Sequence, residues 1–226
     1  MSMPPFRPVA GRDASIRAGT REVKVQTDPF RKVKEATAQE ICSRVDLSQE
    51  AKAFLLPSLS PQGFLALLAD NKHIGDAVRF LAFALPIREA IWWACVTVGG
   101  SQDQLSAPEA DCLERATAWV YEPGDARRRA CMEAAEGANL EGAAAYAALA
   151  VFWSGGSLAP ANMPDALPDP SLGAIGVGAS VLLAITGGEP QKLDQRFEAA
   201  MLRGMDIANG GNGRLKSDRP ATNLER

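Results

Sequence analysis

Two stretches of this 226-residue chain, Glu141 to Trp153 and Leu172 to Ile185, are apolar on every side when wound as helices. A helix apolar all round has to be enclosed by other elements. Neither stretch reaches the roughly 20 apolar residues that a bilayer span requires. The second also carries Gly173, Gly176 and Gly178. Two enclosed helices demand a surrounding layer of amphipathic ones, and the flanking sequence has that form.

Start and stop signals punctuate the flanks. Thr37 with Glu40 makes a capping box ahead of Ile41 and Val45. Ser48 opens a short helix carrying Ala51, Phe54 and Leu55, which stops before Pro57. Ser60-Pro61 pairs a capping hydroxyl with a proline in the first turn. Ile74, Ala77, Val78, Leu81 and Leu85 fall on one helical stripe. Pro86 ends that helix and opens the next, which runs through Trp92 and Trp93 to about Val98, with Gly99-Gly100 as its terminator. Ser106 begins a helix with Asp111 and Arg115 four apart on its outer face. Residues 123–137 form a shorter helix. The last, from Leu193 through Phe197, Ala200, Met201 and Gly204 to Ile207, is strongly amphipathic. No strand alternation is visible after residue 36. The expectation is an all-α fold of about nine antiparallel helices, two of them central. Residues 1–35 read as a flexible basic arm, 36–209 as a single helical domain and 210–226 as a polar tail. A Pro-rich loop, 154–170, lies inside the domain; long loops of this kind are often functional.

Charge is unevenly spread. The arm carries +4 and the tail +2, so with a total of −3 the middle carries −9. An acidic body argues against nucleic acid as a partner. The four cysteines, Cys42, Cys95, Cys112 and Cys131, have no CxxC spacing, and His73 is the sole histidine. They read as buried reduced thiols, and no metal or cofactor is expected. With no apolar leader at the N-terminus, a cytoplasmic protein without membrane insertion is expected.

Three local constellations are candidates for function. Arg88, Glu89, Trp92 and Trp93 follow Pro86 on one helix. Adjacent tryptophans point about 100° apart, so at most one is central and the other walls a groove. Arg88, four residues before Trp92, is expected to lie over its indole face. These four residues are the partner-binding candidates, with no catalytic residue assigned. Asp70, His73 and Asp76 form a polar cluster that suits a general base or a metal ligand or, more plainly, a polar cap at a helix start. Arg127-Arg128-Arg129 spreads around a helix turn and reads as a solvated face. Gly173, Gly176 and Gly178 read as a close helix crossing rather than a nucleotide loop, because no strand precedes them.

The segment Ala84-Leu85-Pro86-Ile87-Arg88-Glu89-Ala90-Ile91-Trp92-Trp93-Ala94, with Asp76 to Ala82 before it and Glu40-Ile41-Cys42, Leu47-Ser48 and Ser60-Pro61 further upstream, resembles a bacterial family of uncharacterised small helical proteins. The family carries an ALPxREAxWWA motif and is associated with type VI secretion gene clusters. The resemblance transfers no catalytic residue. It implies an accessory, adaptor or effector-loading role, with a secretion effector or spike component as the protein partner. A structural homo-oligomer, built through an apolar patch on the final helix, and an enzyme centred on His73 are the alternatives.

Overall fold

The computed structural model describes residues 15–18, 21–24, 30–101, 105–160 and 162–215. The body is all-helical, as expected. Ten α-helices stand among the described residues: α1 Ala38–Cys42, α2 Gln49–Lys52, α3 Pro61–Asp70, α4 Ile74–Ala84, α5 Ile87–Ser101, α6 Ala107–Tyr121, α7 Asp125–Gly137, α8 Gly142–Phe152, α9 Leu172–Thr186 and α10 Leu193–Ala208. The count exceeds nine because α1 and α2 are each a single capped turn. Ahead of the body, β1 Ser15–Ala18 and β2 Arg21–Lys24 pair as an antiparallel hairpin inside the segment expected to be an arm.

Local capping chemistry explains the starts. Thr37, Ser48 and Ser60 each accept a backbone N–H from the third residue of the following helix. Glu109 accepts from both the amide and the hydroxyl of Ser106, at 2.9 and 2.6 Å. These hydrogen bonds hold the Glu109 carboxyl below its usual range.

Helix α8 is the axle. Ala143, Ala144, Ala145, Ala147, Ala148 and Ala150 are all buried, so α6, α7 and α9 pack closely around it. The crossing with α9 is close for a definite reason: a Cβ at Gly176 would sit 3.0 Å from the Cα of Ala150, and one at Gly173 would sit 3.2 Å from the Cα of Ser154. Gly178 has ordinary space and takes no part in that approach. Helix α9 is less enclosed than its composition implied. Ile175 and Leu183 are exposed, as are Met163 and Leu167 in the preceding loop. The apolar stripe of α10, by contrast, is buried through Phe197, Ala200, Met201 and Ile207. The final helix therefore offers no large apolar patch on that stripe. Among the described residues no single helix is long and apolar enough to cross a membrane; α9 and α10 meet that measure only as a pair bent by 118°.

Three sequence readings need correction. Gly99 and Gly100 do not end α5, which continues to Ser101. The glycine at 100 serves close approach instead, because a Cβ there would lie 2.1 Å from the Arg203 guanidinium. Arg127-Arg128-Arg129 is not a uniformly solvated face. Arg128 is 4% exposed, donates to Phe152 O and Ser157 O, and stacks over the Phe152 ring. Arg129 donates to Ala159 O. Together they pin the start of the Pro-rich loop to α7. Finally, the ends of the body extend beyond residues 36–209. Phe30 is buried, Lys32 N donates to Ala208 O, and Gly213 N donates to Asp206.

All four cysteines are free, with Cys95, Cys112 and Cys131 buried and Cys42 half-buried. Burial pushes the Cys95 and Cys131 thiols up to about 12, and those of Cys42 and Cys112 to about 11. Cys95, Cys112 and Cys131 are expected to resist a disulfide reagent at pH 8 in the native protein and to react on unfolding. The unfolded chain releases these protons near pH 9 while the folded one retains them. Stability is therefore full below pH 9 and falls as pH rises toward 12. A pH series of urea melts from 7 to 11 checks the direction.

Candidate functional site

The break between α4 and α5 creates a concavity. Pro86 has no N–H, so the α4 ladder cannot run through it, and Leu85 turns extended. The chain restarts as α5 at Ile87. This kink leaves Phe83, Leu85 and Ile87 around a cleft of about 460 Å³. Lys32, Lys34 and Arg44 stand on one side, and Asp169, Pro170 and Ser171, where the Pro-rich loop meets α9, on the other.

Two of the rim cations are held in ion pairs. Lys32 Nζ lies 3.3 Å from Glu89, and Arg44 is hydrogen-bonded to Glu35. Asp169 accepts from the Ser171 amide and hydroxyl, which hold its carboxyl below the usual range. Lys34 is exposed and forms no ion pair among the described residues. The cleft therefore combines an apolar floor with a cation, Lys34, that is unpaired among the described residues. A floor of that kind suits an apolar side chain, and Lys34 suits a carboxylate beside it.

The four residues singled out near Pro86 take separate roles. Trp93 is fully buried and donates its Nε1–H to Ala200 O at 2.8 Å, so it is unavailable to a partner. Trp92 is half-buried and donates to Asn212 O at 2.9 Å. It walls a second, shallower groove of about 290 Å³ with Val96 and Leu113. Arg88 does not lie over Trp92. It donates to Val120 O at 2.6 Å, at the last turn of α6, whose carbonyls have no helical partner. The cation over the Trp92 ring is Arg214, 5.7 Å from its centroid. Glu89 reaches the rim of the Pro86 cleft through Lys32.

Residues 64–208 match the sequence profile of the Family of unknown function (DUF6931). The chain belongs to this family. No curated protein and no solved structure matches it. The DUF6931 span begins inside α3 and ends with α10, so it contains the Pro86 kink, Trp92, Trp93 and the cleft's α9 wall. The cationic wall at Lys32, Lys34 and Arg44 lies outside the DUF6931 match, as does the Asn212–Arg214 segment.

The polar cluster at the start of α4 serves packing. Asp76, 6% exposed, accepts from Ser48 N at 2.9 Å and Ser48 Oγ at 2.8 Å, and pairs with Arg79 at 3.2 Å. It thereby clamps the start of α2 to α4. His73 Nδ1 is 3.7 Å from Asp76, and its ring meets Phe54 edge-on. Asp70 is exposed, with a carboxyl raised by partial desolvation, and lines neither the Pro86 cleft nor the Trp92 groove. His73 lines neither of them either. Among the described residues no cluster of three or more His, Cys, Asp or Glu could hold a metal ion.

The residues absent from the sequence reading are Lys34, Arg44, Phe83 and Asp169. Their one visible signal was the excess positive charge of residues 1–35 against an acidic body. Nothing local announces that this segment meets the Pro-rich loop across the α4–α5 kink.

Proposed function

We propose that this chain is a helical interaction module that docks another protein at the Pro86 cleft. The observation that supports it is the cleft itself: an apolar floor at a helix break, rimmed by cations, with Lys34 unpaired among the described residues. The partner segment this chemistry fits carries an apolar side chain next to an acidic one. Binding rather than bond-making is the work an apolar floor of this kind suits. The resemblance to a family associated with type VI secretion clusters supports a finer reading. On that reading the module is an accessory or adaptor that hands over a secretion effector or spike component.

The test is comparative capture from a type VI-bearing host with the full chain as bait. Lys34→Glu and Ala174→Arg alter the rim and the α9 wall at exposed and half-buried positions, so the fold is retained. The wild type and a Trp92→Phe control are expected to recover the same secretion component. The two cleft variants are expected to lose it, with the purified pair weakened on the order of tenfold or more. Equal recovery by wild type and both cleft variants would refute the site. A captured protein unrelated to secretion would remove the finer reading and leave the site standing.

A further inference from the structure

The Pro-rich loop repeats one chemical pattern before α9. Met163-Pro164-Asp165 and Leu167-Pro168-Asp169 each place an apolar side chain two residues ahead of a carboxylate. The second carboxylate is committed to Ser171. The first is not: Asp165 is exposed and forms no ion pair among the described residues. Met163 and Leu167, on either side of it, are 58% and 74% exposed.

The backbone around these side chains is nonetheless held. Arg128 and Arg129 donate to Ser157 O and Ala159 O. Leu158 N donates to Ala166 O at 2.8 Å, and Ala166 N donates to Ser157 Oγ at 3.0 Å. The loop is thus closed at its neck and tied to α7, and Pro164 and Pro168 stiffen it further. A segment already ordered loses little entropy on docking. Its own subunit does not seat it. Asp169 forms part of the Pro86 cleft, but Met163, Asp165 and Leu167 are not among the residues that line it.

The cleft asks for what this loop presents. Phe83, Leu85 and Ile87 take an apolar side chain, and Lys34 beside them has no ion pair among the described residues. Asp165 is the complementary anion. We propose that the cleft receives a second copy of this chain: residues 163–167 of each copy enter the Pro86 cleft of the other, with Leu167 on the apolar floor and Asp165 against Lys34. Loop and cleft share the wall at Asp169, Pro170 and Ser171, so one two-fold axis beside that wall forms both contacts at once. The inference rests on the reading of the cleft as a protein-docking site, and it makes the second copy a competitor of any other partner there.

The experiment is sedimentation velocity of the full chain over a concentration series up to about 100 μM, which detects dissociation constants of that order. The wild-type mass is expected to rise from 24.0 kDa toward twice that value. Lys34→Glu and Asp165→Lys each reverse one charge at an exposed position, so the fold is retained. Each alone is expected to weaken the dimer at least about tenfold, because like charges then meet at both contacts. Leu167→Ser, which strips the apolar contact, is expected to weaken it as well. An equimolar mixture of Lys34→Glu and Asp165→Lys is expected to restore the dimer, because every cleft then meets a loop of opposite charge. A wild type that stays monomeric overturns the inference, as does a dimer that neither charge reversal weakens or a mixture that fails to recover it. A mass that climbs past the dimer overturns the reciprocal arrangement. The cleft reading fails separately: a monomeric wild type whose capture of an outside partner is lost in Lys34→Glu removes the second copy and leaves the docking site in place.

Discussion

Trp93→Ala is expected to lower stability by about 4 kcal/mol. The indole is fully buried between α4 and α10, and its Nε1–H meets Ala200 O. The pocket is close-fitting from the far side as well: a Cβ at Gly204 would sit 3.0 Å from the ring and 2.5 Å from Leu81. Truncation removes a large apolar surface, leaves a cavity walled by rigid helices and strips a donor from a buried carbonyl. A fall in Tm on the order of 10 °C follows for a chain of this size. Trp92→Ala, at the half-buried neighbour, is expected to cost about 1–2 kcal/mol. Urea denaturation of the two variants decides the point. Equal losses would mean that the two rings share one environment, contrary to the geometry.

Arg128→Ala is expected to cost about 3 kcal/mol and to release the Pro-rich loop. The guanidinium holds Phe152 O and Ser157 O at 2.8 Å each, reaches Asp125 at 2.7 Å and stacks 5.0 Å above the Phe152 ring. Gly156, at φ +68°, lets the loop backbone wrap against it, since a Cβ there would lie 3.0 Å from Nε. Arg128→Lys is not expected to rescue, because a single ammonium cannot serve a planar fork of three partners. The measurement is limited proteolysis of the folded variants. Cleavage between 154 and 170 is expected to be at least tenfold faster than in the wild type. An unchanged cleavage rate would show that the loop is held by other contacts.

These two residues mark the limits of what the sequence discloses. Helix starts were legible, because a cap is a contact over three residues: Thr37, Ser48, Ser60 and Ser106 all sit where their spacing with the following residues put them. The all-apolar character of α8 announced its central place. The angle between Trp92 and Trp93 announced that only one ring is central, and which one depended on where α10 lies. Long-range polar contacts were opaque. Arg128 looks like one of three equivalent charges until Phe152 and Ser157 come alongside. Arg88 and Arg214 are indistinguishable as stacking partners of Trp92 until the last turn of α6 claims the first. Gly100 imitates a helix terminator, because local sequence cannot show the guanidinium of Arg203 packed on it. The Pro86 break was readable as a kink. The cleft was not, because its opposite walls, at Lys34 and Asp169, are far apart along the chain.

The amide of Lys32 and the loop amide at Gly213 both attach to the closing turn of α10, at Ala208 and Asp206. During biosynthesis the first of these groups leaves the ribosome long before its acceptor exists. Sealing of that end therefore waits for α10, and the segment carrying Lys34 reaches its place beside the kink only after that helix has been made.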